Sequence, residues 1–136
     1  MTELEQPGTL AEQVEIEVVT TYLAGHSRPE EEQYTFAYTI TINNHSDIPV
    51  QLLSRHWIIT DADNEVQEVR GEGVVGEQPV IEPGAYFRYT SGATLTTPVG
   101  CMEGSYFMIV AGDEGDATDF EVPIPAFSLH TPTALN

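Results

Sequence analysis

The chain has 136 residues, enough for one domain with its own core and too few for two of ordinary size. Its 22 acidic side chains face only Arg28, Arg55, Arg70 and Arg88, with no lysine, for a formal net charge of -18. Such a surface argues against nucleic acid and anionic membrane as direct partners, because both are bound by exchanging counterions for Lys or Arg.

The opening MTELEQPGTLAEQ lacks a basic n-region and an apolar h-region, so residues 1–13 are expected to form a flexible acidic tail rather than a secretory signal, with a cytoplasmic location by default. Val14, Ile16 and Val18 then alternate with Glu15 and Glu17, the mark of a short strand with an acidic outer face. AGHSRPEEE is turn and loop chemistry. From Tyr34 to Ile42, aromatic and β-branched residues recur at every second position, which predicts a strand with one buried face. NNHSDIP breaks the chain, VQLLSRHWIIT resumes as a long strand with the only tryptophan, Trp57, and the acidic turn DADN leads into a hairpin return, EVQEVR.

After a glycine-rich loop, Pro79, Pro83 and Gly84 mark a corner and AYFRYTS reads as a strand. SYFMIVA is a nearly continuous apolar run, as in a strand at the middle of a sandwich. The last strand falls within FEVPIPAFSL, where Pro123 and Pro125 cannot donate ladder hydrogen bonds and so demand a sheet edge or a bulge. About seven short strands without a helical period predict one all-β domain over residues 14–132, an antiparallel β-sandwich of immunoglobulin or fibronectin type III character, with a tail at 133–136. Phe36, Tyr38 and Trp57 are expected to dominate its core.

GEGVVG, Gly71 to Gly76, matches G-x-G-x-x-G. A phosphate grip of that kind needs a helix N-terminus behind the glycines. Here Glu77, Gln78, Pro79 and the Val80 to Gly84 corner follow, no lysine completes a Walker loop, and Glu72 and Glu77 would repel the anion. Gly71, Gly73 and Gly76 are therefore expected to supply positive φ or close backbone packing, with Val74 and Val75 presented at an exposed turn that suits docking.

Asp61, Asp63, Glu65 and Glu72 fall at calcium-loop positions, but Val66 stands where that loop needs glycine and strands flank it, so a solvated hairpin turn is expected. Weak divalent-cation contact at Asp61 and Asp63, or at Asp113, Glu114 and Asp116, follows from charge density alone; no specific metal site or cofactor is expected. His26, His45, His56 and His130 are scattered, with a structural hydrogen bond expected for His56. Arg55 and Arg88 are read as structural, each with a carboxylate partner inside the sandwich. Lone Cys101 rules out an internal disulfide, has no basic neighbour to activate it and reads as a small core residue. Nothing points to an enzyme.

Net charge of this size destabilises a compact state through self-repulsion, which about 1 M salt removes by shortening the Debye length to roughly 3 Å. Adaptation to a salt-rich cell is one expectation, an acidic protein from an ordinary cell the other.

Taken together, SRHWIITDADNEV, RGEGVVGEQPVIEPGAYFRYTSGATLTTPVG and CMEGSYFMI carry RHW, GxGVVG, PG, YxSG, TPxG and MxGxY in an order that resembles the ApaG family, also called CorD, from about Val14 to Pro132. The resemblance implies a fibronectin type III-like sandwich. It also implies a bacterial protein associated with cobalt and magnesium tolerance, and a protein-interaction role, since related domains occur in F-box proteins and in a DNA polymerase delta-interacting protein. It brings no catalytic residue, and its suggested pyrophosphate site is the glycine pattern whose missing helix has just been noted. Two readings follow: a protein-binding domain using Gly71 to Gly76, and a ligand or divalent-cation sensor at Asp61 and Asp63.

Overall fold

A computed structural model describes residues 9–112 and 119–132. Its strands run β1 (Val14–Tyr22), β2 (Tyr34–Asn44), β3 (Val50–Asp61), β4 (Val66–Glu72), β5 (Val80–Ile81), β6 (Tyr86–Leu95), β7 (Val99–Val110) and β8 (Phe120–His130). All pair antiparallel, in a three-stranded sheet ordered β1-β2-β6 and a five-stranded sheet ordered β4-β3-β7-β8, with β5 beside β3. The sandwich expected from the alternation is thus present, with an eighth strand of only two residues where a bare corner was expected.

The alternation does the folding work. Phe36, Tyr38, Ile40 and Ile42 of β2 point inward against Leu52, Trp57 and Ile59 of β3 and Met102, Tyr106 and Met108 of β7. Trp57 sits at the centre, 5.4 Å from the Tyr38 ring, 5.9 Å from Phe127 and 6.4 Å from Tyr106 between centroids, each edge to face. Tilted and edge contacts of this kind suit the ring quadrupoles. The apolar run in β7 lies between β3 and β8, and β8 is an edge strand whose ladder slips between Met102 and Gly104, opposite the Pro125 region. Both options left open by the two prolines are used. Cys101 is outside the core: it alternates with buried Met102 and is half-exposed, and burial together with Glu103 pushes its thiol above the usual range.

Residues 9–13, expected within the tail, form a turn closed by a reciprocal capping box: Thr9 N–H donates to Glu12 Oε1 at 2.9 Å and Glu12 N–H to Thr9 Oγ1 at 3.2 Å. Among the described residues, no helix is long and apolar enough to cross a membrane.

Polar anchoring is concentrated at Asn44, which is fully buried. Its amide donates to the carbonyls of Ile48 and Ile81 at 2.8 and 2.9 Å and its Oδ1 accepts from the Ser46 N–H and hydroxyl at 3.0 and 2.6 Å. One side chain ties β2, the following loop and β5 together.

Candidate functional site

β1 and β8 abut and close one flank of the sandwich. On the other flank, the edges β4 and β6 leave a cleft between the sheets, lined by Tyr38, Arg55, Trp57, Ile59, Val69, Ser91, Gly92 and Ala93. Register explains the opening. Ser91 and Ala93 of β6 lie opposite Tyr38 and Phe36, and Gly71 and Val69 of β4 lie opposite Arg55 and Trp57. Small residues on β6, Ser91, Gly92 and Ala93, keep the space open beside Tyr38 and Trp57, which themselves stay buried.

Arg55 is the half-buried cation of this cleft. Its Nη1 donates to the carbonyls of Glu72 and Gly73 at 3.2 and 2.7 Å. No carboxylate pairs with it among the described residues, contrary to expectation; Arg88 likewise donates from Nε to Thr41 Oγ1 at 2.9 Å and lies 4.9 Å over the Tyr86 ring. Backbone carbonyls anchor Arg55 through Nη1, and a hydroxyl and a ring face anchor Arg88, without burying a second charge. Behind Arg55, the hydroxyls of Tyr89 and Tyr106 share a hydrogen bond. Burial pushes both far above the ordinary tyrosine range, the Arg55 charge acting weakly the other way.

The glycine loop is built onto a bulge. The β3 register slips between Leu52 and Ser54, and the Leu53 carbonyl there accepts Gly73 N–H at 2.8 Å and Gln78 Nε2 at 2.9 Å. Val74 and Glu77 exchange two backbone hydrogen bonds at 2.8 and 2.9 Å around Val75 at φ 43 and Gly76 at φ 82. Positive φ at both central positions makes a type I′ turn. Gly73 has φ 65, and a β-carbon there would meet the Glu77 carbonyl oxygen at 2.3 Å. Val74 is not displayed as expected: it is 1% exposed and packs into the core, whereas Val75 is 53% exposed at the tip. Alternation carries one valine inward and the next outward.

Asp61 and Asp63 sit at the other end of the β3-β4 hairpin. Asp61 Oδ1 accepts the N–H groups of Asp63 and Glu65 at 2.8 and 3.0 Å, closing the turn. Glu72 lies opposite Ser54 at the far end of the hairpin, so the four acids cannot converge. Among the described residues no group of three or more His, Cys, Asp or Glu is placed to hold a metal ion; Asp113, Glu114 and Asp116 lie outside them. His56 Nε2 meets Glu68 Oε1 at 2.9 Å across the hairpin and His45 Nε2 meets Glu15 at 2.8 Å.

The sequence pattern of the ApaG domain matches residues 24–110, which span β2 to β7 and with them the cleft and the glycine loop. The chain belongs to the ApaG family. It is 56% identical over 124 residues to protein ApaG of Pseudomonas aeruginosa (strain LESB58), covering 91% of this chain and 95% of that one. It is 52% identical over 123 residues to protein ApaG of Dechloromonas aromatica (strain RCB), covering 90% and 94%. A crystal structure of an ApaA protein from Bordetella pertussis superposes with a TM-score of 0.83 at 46% identity, covering 89% of this chain and 95% of that one. Within this ApaG sandwich, the sequence singled out Arg55, Trp57 and the glycine loop but not the cleft that joins them. Hairpin counting from the Asp61 turn was the available signal, since it sets Gly71 opposite Arg55.

Proposed function

We propose that this ApaG-family protein is a non-enzymatic binding module that receives a basic protein segment at the loop tip around Val75 and along the neighbouring edge of β6. Val75 carries the reading. A β-branched residue at φ 43 is a steric outlier, and the turn around it is one that Asn or Gly would adopt at lower cost. An exposed apolar side chain kept in that conformation fits a contact made with a partner. The β6 edge supports the same surface, because Tyr89 to Leu95 carries neither charge nor proline, the usual guards against an added strand. Net charge of -18 selects a basic partner and speeds its approach. The link to cobalt and magnesium tolerance then runs through that partner rather than through ions held by Asp61 or Asp63.

The test is capture by immobilised protein with the urea midpoint measured alongside. Val75→Asp should lose the partner while unfolding at no lower denaturant concentration than the wild type, because Asp before Gly76 also suits the turn. Undiminished capture would remove the loop tip from the binding surface.

A further inference from the structure

We propose that the cleft between β4 and β6 is a binding site for a monocarboxylate with an apolar body, the carboxylate on Arg55 and the body against Trp57. This goes beyond the interaction reading; the two share Val75 and the β6 edge, but the titration below needs no protein partner, so either can fail without the other.

The space is of ligand size. A cavity of about 450 Å³ under the strand edges and one of about 260 Å³ beneath the glycine loop share Tyr38, Arg55, Trp57 and Ser91. Small-molecule sites span roughly 300 to 1,000 Å³ and combine apolar walls with a few convergent polar groups. Val69 and Ala93 form the partly exposed apolar sides of the larger cavity, the largely buried Trp57, Ile59 and Met102 form its floor, and Arg55 stands where the two cavities meet.

The polar groups have capacity to spare. Arg55 carries five N–H donors. Nη1 spends its pair on the Glu72 and Gly73 carbonyls, leaving Nε and Nη2 without a partner among the described residues. The free Nε–Nη2 edge is a fork matched to the two oxygens of a carboxylate. Because Nη1 is pinned, little rotamer freedom remains to be lost on binding. The Tyr38 and Ser91 hydroxyls and the Trp57 indole N–H also lack hydrogen-bond partners among the described residues, yet no buried side-chain N or O is left unsatisfied there. Each therefore reaches solvent, from residues lining the cavity.

Charge selects the class. A single cation faces the cavity, Glu72 lines its upper part, and the protein as a whole repels anions. A singly charged carboxylate can be matched by one guanidinium; a phosphate dianion would need a second cation. The loop compensates little, because the N–H groups of Gly73, Val74 and Glu77 are already bonded to Leu53, Glu77 and Val74, which leaves those of Val75 and Gly76 at the tip.

The experiment is an amide NMR titration of the full chain with phenylacetate, its neutral amide phenylacetamide, and pyrophosphate. Phenylacetate should give saturable shifts at Gly71, Ser91 and the Trp57 indole, with the amide at least about tenfold weaker for loss of the charge-assisted pair. Ala93→Leu, which fills the cleft from β6, should abolish binding, and Arg55→Lys should weaken it at least about tenfold. Equal affinity for acid and amide, pyrophosphate binding the same residues as tightly, no saturable shift, or unchanged binding by a folded Ala93→Leu would each overturn the proposal. The acid and amide comparison is made on the unaltered protein, so it decides even where a variant fails to fold.

Discussion

The guanidinium of Arg55 occupies the place where Gly71 would carry a side chain: a β-carbon there would lie 2.8 Å from Cζ, Nη1 and Nη2. The two residues face each other across the β3-β4 ladder, so the glycine is the seat of the arginine. Gly71→Ala should push the guanidinium off the Glu72 and Gly73 carbonyls, with a loss of about 2 kcal/mol. Arg55→Met should cost a similar amount, and the double variant little more than either, because both remove the same contacts. Urea midpoints of the four proteins in that cycle measure the coupling. Additive losses would show that glycine and arginine act separately.

Asn44 should be the most sensitive polar residue of the fold. Asn44→Ala removes the donor bonded to the Ile81 carbonyl and the acceptor of the Ser46 N–H, and leaves the Ser46 hydroxyl and the Ile48 carbonyl only each other. The expected destabilisation is about 3 kcal/mol, read from urea unfolding. Trp57→Ala, which removes the ring packed on Tyr38, Tyr106 and Phe127, is expected to cost about 4 kcal/mol.

Alkaline pH should unfold the protein through the Tyr89 and Tyr106 pair. Burial raises both folded-state pKa values above the ordinary value of 10.0. The folded protein keeps these protons after the unfolded chain has released them, so their stabilisation is complete below pH 10 and is lost as pH rises beyond it. The slope is about 1.4 kcal/mol per pH unit for each tyrosine. Thermal melts between pH 9 and 11.5 should fall steeply above pH 10, and the Tyr89→Phe/Tyr106→Phe double variant should flatten that fall.

Self-repulsion at a net charge of -18 predicts a melting temperature that rises from low to molar NaCl. A flat profile would show that the acidic surface costs the fold nothing.

The sandwich was legible because period-two alternation over β1, β2 and β3 leaves one reading, and because the β8 prolines can only sit at an edge or a bulge. β5 was not legible: two residues between Pro79 and Pro83 give no period. Asn44 read as part of a chain break because Asn is at home in turns, and only the fold shows the carbonyls around it. Val74 and Val75 looked equivalent until the turn gave them opposite faces. The cleft escaped notice because its walls come from strands far apart in sequence, Val69 on β4 and Ser91 to Ala93 on β6. The spare donors of Arg55 could not be counted before its carbonyl partners were known.

The most direct test of the binding account is Val75→Asn, measured for thermal stability and partner capture on the same preparation. Asn followed by Gly76 suits the type I′ turn, so stability should rise by about 1 kcal/mol, or roughly 3–6 °C, while capture falls. A rise in stability with capture intact would contradict the claim that the strained valine is held for a partner.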